Sequence, residues 1–166
     1  MRDGTEITIR PIRPEDEPLM VKFHATLSDR TVYMRYFSSL SLTRRTDHER
    51  LVRICHSDQQ TELVLVAEHQ DQQTGEAHIL GVGRLNKLQK QPMAEIAVLV
   101  SDEHQRKGLG TELLRRLIEI ANNMGVSRIV AEMLRDNVAI QTIVRKLGFR
   151  LRLLRDPGYV QAILEL

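Results

Sequence analysis

The sequence predicts a mixed α/β fold, a central mixed sheet of about six to seven strands flanked by helices and completed by a βαβ unit. Three observations lead there. β-rich segments punctuated by turn residues occupy positions 62–100, a strongly amphipathic stretch follows an apolar run at 94–100, and strand and helix patterns then alternate to the end. At 166 residues with 42% hydrophobic and 28% charged side chains, the chain has enough apolar material for one core. No internal repeat or Gly/Ser/Pro-rich linker divides it, so residues 1–166 are expected to form a single domain.

Taken in order, Glu6 to Arg13 alternates Ile7, Ile9 and Pro11 against polar residues, which predicts an opening strand confined to a sheet edge by its proline. Pro14-Glu15-Asp16-Glu17 places acids where a helix N-terminus favours them, opening an amphipathic stretch to Leu27. Ser28-Asp29 then caps a second short helix. Thr46 and Glu49 have capping-box spacing, and Leu51, Ile54 and Cys55 share a face, so a third helical piece is expected near 43–56. Arg44, Arg45, Arg50 and Arg53 fall outside that stripe and read as a solvated basic face. Glu62 to His69 and Ile79 to Leu88 are joined by Asp71-Gln72-Gln73-Thr74-Gly75-Glu76, the turn chemistry of a hairpin. Beyond them come strand Ala94–Val100, helix Gly108–Met124, strand Arg128–Leu134, helix Asn137–Leu147, and strands Phe149–Leu154 and Tyr159–Leu164.

The chemistry concentrates in AEIAVLVSDEHQRKGLGTELLRRLIEIANNMG. Leu109, Leu113, Leu114, Leu117, Ile118, Ala121 and Met124 recur at helical spacing, with Gly125 as the stop. At the helix start, Gly108 and Gly110 remove side chains and leave backbone N–H groups facing outward, where the helix dipole adds about half a positive charge. A phosphate or pyrophosphate fits such a place. It is not an ATP loop, because Gly110 is followed by Thr111-Glu112 and not Lys-Ser/Thr. Nor is it a dinucleotide fingerprint, because Leu113 stands where a third glycine belongs.

Gln105-Arg106-Lys107-Gly108-Leu109-Gly110 resembles the Gln/Arg-x-x-Gly-x-Gly/Ala signature of the GNAT N-acetyltransferase superfamily, in the strand-to-helix setting that family requires. Asn137 to Phe149 resembles its second block, an asparagine, a helix and a closing Gly-Phe. The resemblance implies a GNAT fold, acetyl-coenzyme A as co-substrate and transfer of its acetyl group to an amine. It further implies that Val98, Leu99 and Val100 offer main-chain hydrogen bonds to the pantetheine arm. Gln105, Arg106, Lys107, Gly108, Leu109, Gly110 and Thr111 would hold the phosphates, and Asn137 would contact the cofactor from the next helix. At the N-terminus, Ile9-Arg10-Pro11-Ile12-Arg13-Pro14-Glu15-Asp16 and Ser28 to Phe37 resemble the acetyltransferase domain of bacterial protein-lysine acetyltransferases. That branch implies a protein lysine as acceptor and a groove built from the N-terminal helices and the loops near 33–42 and 88–92.

An amine attacks only when neutral, which for a lysine of pKa ~10.4 lies roughly 4–5 kcal/mol uphill at pH 7. Glu95 is the only ionisable residue in its apolar strand, shares a face with Ala97 and Leu99, and is the expected general base, directly or through water. Its apolar surroundings are expected to desolvate it. Many GNAT enzymes carry a tyrosine as general acid seven residues after the helix-opening asparagine; here that position is Val144, leaving a water or no acid at all, with Tyr33, Tyr36 and Tyr159 as substitutes that the sequence does not place. Cys55 reads as a buried thiol, and His48, His56, His69, His78 and His104 show no metal-ligand spacing. A formal charge of +2 excludes a nucleic-acid coat, no apolar run spans a bilayer, and the expected compartment is the cytoplasm. Two alternatives stand beside the protein-lysine reading: a small-amine acetyltransferase acting on a polyamine or antibiotic, and a non-catalytic acyl-CoA-sensing module.

Overall fold

A computed structural model describes residues 1–58 and 60–166. Its strands are β1 (Thr8–Pro11), β2 (Glu62–Gln70), β3 (Ala77–Lys87), β4 (Met93–Val100), β5 (Arg128–Leu134), β6 (Arg150–Leu153) and β7 (Tyr159–Glu165). They form one seven-stranded sheet in the order β1-β2-β3-β4-β5-β7-β6. β1 lies at the edge as its proline requires, and β2, β3 and β4 form an antiparallel meander whose first turn is residues 71–76.

β4 and β5 are the parallel pair, and helix α5 (Leu109–Asn123) connects them. α5 presents Leu109, Leu113, Leu114, Leu117 and Ala121 to the sheet, every one of them buried. It sits close because β3 has glycines beneath it: a Cβ on Gly83 would stand 3.1 Å from Leu117 Cδ1, and one on Gly81 3.1 Å from Leu113 Cδ1. Helix α6 (Val138–Lys146) contributes buried Val144 to the same core.

Helices α1 (Glu17–Ala25), α2 (Asp29–Tyr36), α3 (Leu42–Arg45) and α4 (His48–Cys55) belong to the N-terminal third of the chain. Met20, Phe23, Val32, Leu51 and Cys55 from these helices pack with Val64, Val66, Ile79 and Leu99 in a second core cluster. Ser28 caps α2 as expected, its hydroxyl accepting from the Thr31 N–H. The single piece expected over 43–56 is two helices, because Asp47 caps α4 by accepting from the Arg50 N–H, and Thr46 closes α3. The expected solvated basic face holds for Arg44 and Arg53 only. Arg45 is buried, donating to the carbonyls of His24 at 2.9 Å and Leu40 at 3.1 Å. Half-buried Arg50 donates to the Arg45 carbonyl at 2.9 Å and lies over the Tyr36 ring. A second polar node sits where the first strand meets the helices. Buried Asp16 accepts from both Arg10 terminal nitrogens at 2.7 and 2.8 Å and from the Arg13 N–H at 2.7 Å.

Candidate active site

β4 and β5 stay together for only three rungs, Met93 with Arg128, Ala94 with Ile129 and Glu95 with Val130. On its other edge β5 pairs with β7 along its whole length, and beyond the three rungs the two parallel strands diverge. The result is a cleft of about 930 Å³, walled by Ile96 to Val100 on one side and Ala131 to Met133 on the other. The start of α5 and the face of α6 complete it.

The antiparallel ladder decides which β4 backbone groups reach this cleft. The Ser101 N–H donates to the carbonyl of Leu80 at 2.9 Å, one step past the register pair of Val100 with Gly81, so the alternation directs the main-chain groups of Ala97 and Leu99 towards β3. Those of Ile96, Val98 and Val100 face the side from which β5 has departed. Leu99, expected to bond pantetheine through its main chain, therefore spends those groups on β3. The Val100 carbonyl also accepts from the Gln105 side chain at 3.0 Å, which leaves the Val100 N–H directed at the gap.

The loop from Gln105 to Gly108 owes its shape to two left-handed residues, Arg106 at φ 63° and Gly108 at φ 89°. Gly108 is the N-cap of α5 and supplies no side-chain acceptor. Glu112 is the first residue whose N–H finds a carbonyl, that of Gly108 at 3.1 Å. The N–H groups of Leu109, Gly110 and Thr111 thus have no intrahelical acceptor and stand at the positive end of a 15-residue helix. Gly110 lines the cleft and has no protein atom within 3.7 Å of where its Cβ would be, so its bareness leaves room for a ligand.

The side chains of the residues expected around the cofactor divide. Arg106 lines the cleft. Lys107 pairs with Asp3 at 3.1 Å and its carbonyl accepts from the Arg2 N–H at 3.0 Å. Leu109 is buried in the core and is not among the residues lining the cleft. Gln105 holds the loop to the end of β4 and donates to Thr31 Oγ1 at 3.1 Å. Asn137 lines the cleft, but its side chain caps α6 by accepting from the Ile140 N–H at 3.4 Å. Arg2, Arg30 and Thr31 line the cleft without having been expected there. No local pattern marks them, because they arrive from the distant N-terminus and from α2. Asp102 ties α2 to the loop, accepting from the Ser28 N–H at 2.9 Å, the Ser28 hydroxyl at 2.7 Å and the Thr31 hydroxyl at 3.1 Å. Burial opposes its charge, but these hydrogen bonds hold the carboxyl below its usual range.

Glu95 occupies the last rung before the strands part. Its expected desolvation is not met: the side chain is exposed. Glu132, unforeseen from the sequence, lines the cleft on β5 and shares a sheet face with Glu95, since Val130 is the register partner of Glu95 and Glu132 lies two residues on. Val144 is fully buried and provides no acid. Tyr33, Tyr36 and Tyr159 are not among the residues lining the cleft; Tyr36 lies under Arg35 and Arg50, and Tyr159 packs edge-on to Phe37. Cys55 is buried, and burial first, then the charges of Asp16 and Glu17, push its thiol up to about 11. It is no nucleophile at neutral pH. Among the described residues no group of three His, Cys, Asp or Glu side chains is placed to hold a metal, and no helix is long and apolar enough to cross a membrane.

Residues 6–150 match the acetyltransferase (GNAT) domain family. The chain therefore belongs to the GNAT acetyltransferases, with an acyltransferase's fold and cleft. Among individual relatives, it is 28% identical over 147 residues to an acetyltransferase of Pseudomonas aeruginosa, covering 89% of this chain and 76% of that one. It is 30% identical over 148 residues to the acetyltransferase Pat of Mycolicibacterium smegmatis, covering 89% of this chain but only 42% of Pat. The chain thus spans less than half the length of that relative. The crystal structure of the GNAT domain of S. lividans PAT superposes with a TM-score of 0.86 at 25% identity, covering 99% of this chain and 93% of that one. The PaiA N-acetyltransferase of Thermoplasma acidophilum, solved with coenzyme A, shares the fold at a TM-score of 0.76 and 18% identity, over 97% of this chain and 99% of that one.

Proposed function

We propose that the cleft binds acetyl-coenzyme A and that the chain, acting as one catalytic domain in the cytoplasm, acetylates a primary amine, the side chain of a protein lysine. One observation carries the reading. The parting of β4 from β5 leaves the main-chain groups of Val98 and the N–H of Val100 free, and these lead towards the free N–H groups of Leu109, Gly110 and Thr111. A long ligand that is amide-bearing at one end and pyrophosphate-bearing at the other fits this run of donors and acceptors. Coenzyme A has that form. Arg2 and Arg106 stand in the same cleft to meet phosphate charge. The bound thioester supplies an activated acetyl group.

The chain's own residues do the rest. Val98 and Val100 orient the arm so that its reactive end lies towards the root of the cleft, where β4 and β5 still pair. Glu95 stands at that root and, directly or through a water, takes the proton from the attacking nitrogen as the C–N bond forms and the C–S bond breaks. The departing thiolate is protonated by solvent, since Val144 fills the position a tyrosine would take. The lysine acceptor follows from the resemblance of the N-terminal pattern to protein-lysine acetyltransferases, together with the likeness to Pat and to the PAT domain.

The test is thiol release from acetyl-coenzyme A in the presence of a lysine-bearing protein, for wild type, Glu95→Gln and Glu132→Gln. Glu95→Gln is expected to lower kcat by about 10²–10⁴-fold, the usual worth of a general base, with coenzyme A affinity unchanged. Turnover equal to wild type removes Glu95 from the role; loss in Glu132→Gln alone transfers the role to Glu132.

A further inference from the structure

The sheet face under α1, α2 and α4 carries charge of opposite sign at its two ends. Glu95 and Glu132 lie on β4 and β5. One strand away, Arg84 on β3 is the register partner of Ala97 and shares its face. Beside Arg84 is a cavity of about 30 Å³ whose polar lining is Arg84, Arg35 of α2, Arg50 of α4, His24 of α1 and Tyr36, the rest of its wall being apolar. That volume holds about two waters or a single carboxylate group.

The lining has an excess of positive charge. Arg84 pairs with Glu62, but Arg35 and Arg50 have no acidic partner among the described residues. Burial first, then the charges of Arg84 and Arg50 set against neighbouring Tyr36, hold the Arg35 guanidinium below its usual range. His24 is 98% buried, and its Nδ1 has no hydrogen-bond partner. Half-buried guanidinium groups without a counter-charge leave a place for an anion.

This cavity is not remote from the reaction. Arg35, Ala97 and Leu99 line both it and the large cleft. From Glu95 to Ala97 is roughly 7 Å along the strand, and from Ala97 to Arg84 about 5 Å across it. An amine at Glu95 and an anion at Arg84 are then separated by on the order of 8 Å, about the reach between a lysine amine and an acidic side chain one or two positions away in a peptide. A lone ammonium would enter a field dominated by three arginines, whereas an ammonium accompanied by a carboxylate matches both ends.

We propose that the acceptor lysine is recognised together with an acidic residue beside it, whose carboxylate enters the cavity formed by Arg35, Arg50 and Arg84. The inference rests on the reading that a lysine amine is acetylated at this cleft. Its test uses two labelled peptides of equal length, each with one lysine, differing only in Glu or Gln next to it. Their binding to the full chain saturated with coenzyme A is followed by fluorescence anisotropy, for wild type, Arg50→Gln and Arg84→Gln. Melting temperatures and coenzyme A affinity serve as controls, since neither arginine lines the coenzyme cleft.

Wild type is expected to bind the Glu peptide about tenfold more tightly, as a charge-assisted contact warrants, and each variant to bind the two nearly alike. Equal or absent binding of both peptides by wild type overturns the proposal, as does a preference retained in both variants. Acetyl transfer to the same peptides separates the two readings. A binding preference without any transfer supports the cavity's role and rejects lysine acetylation.

Discussion

The two faces of the sheet solve different problems with different materials. Under α5 the contact is dry and nearly all hydrocarbon, with Leu109, Leu113, Leu114 and Leu117 set onto the bare backbone of Gly81 and Gly83. The binding groups it positions are main-chain N–H groups. Under α1, α2 and α4 the apolar cluster is interrupted by buried Asp16, His24 and Arg45, and the groups it positions are long charged side chains. The difference teaches how one chain can keep a general cofactor and a particular acceptor. On the proposed reading, a backbone cleft fixes coenzyme A, while the opposite face takes its specificity for the acceptor from side chains that can be exchanged.

The largest effect expected from attacking this contrast is on the polar face. Asp16→Ala removes an almost fully buried carboxylate that holds Arg10 and the Arg13 N–H, so thermal or urea unfolding should show a loss of about 3–4 kcal/mol. Next is the pH dependence of that same face. His24 has its pKa lowered from 6.5 to about 4, by burial first and then by Arg50 and Arg45. The folded form therefore binds fewer protons than the unfolded form between those values. Stability is full above about pH 6.5 and falls as pH drops towards 4, by roughly 2–3 kcal/mol, with Asp16 adding loss at still lower pH because its folded pKa is also depressed. Urea midpoints measured between pH 4 and 7 check the slope, and His24→Gln should flatten it. Smallest is the apolar face: Gly83→Val forces α5 away from β3 and should cost about 2 kcal/mol, read as a lower melting temperature with the pH slope intact. A steeper pH slope in that variant would mean that the two faces are not independent.

The uneven legibility of the molecule has the same origin. The amphipathic period of α5 and the glycines at 108 and 110 are local patterns, so the helix, the loop and the cleft they build could be read from consecutive residues. So could β1 at an edge, from one proline. What stayed hidden depends on pairs far apart in sequence. Arg45 looked like part of a solvated face because nothing nearby reveals that its partners are the carbonyls of His24 and Leu40. Lys107 looked like a phosphate ligand because Asp3 is 104 positions away. Arg2 in the cleft and Glu132 beside Glu95 follow from topology, the docking of the N-terminus on the loop and the order of β4 and β5, which no local motif encodes. The alternation of the β4 ladder, which removes the Leu99 main chain from the cleft, needs the register with β3 to be known.

On the proposed reading, coenzyme A is held by main-chain groups between β4 and β5 and at the start of α5. Titration of the ¹⁵N-labelled chain with coenzyme A, followed amide by amide, measures it directly. The expected result is that the amides of Val98, Val100, Leu109, Gly110 and Thr111 shift most and those of Ala97 and Leu99, which bond β3, shift less. The largest shifts falling on α1 and α4 while residues 109–111 stay fixed would contradict it.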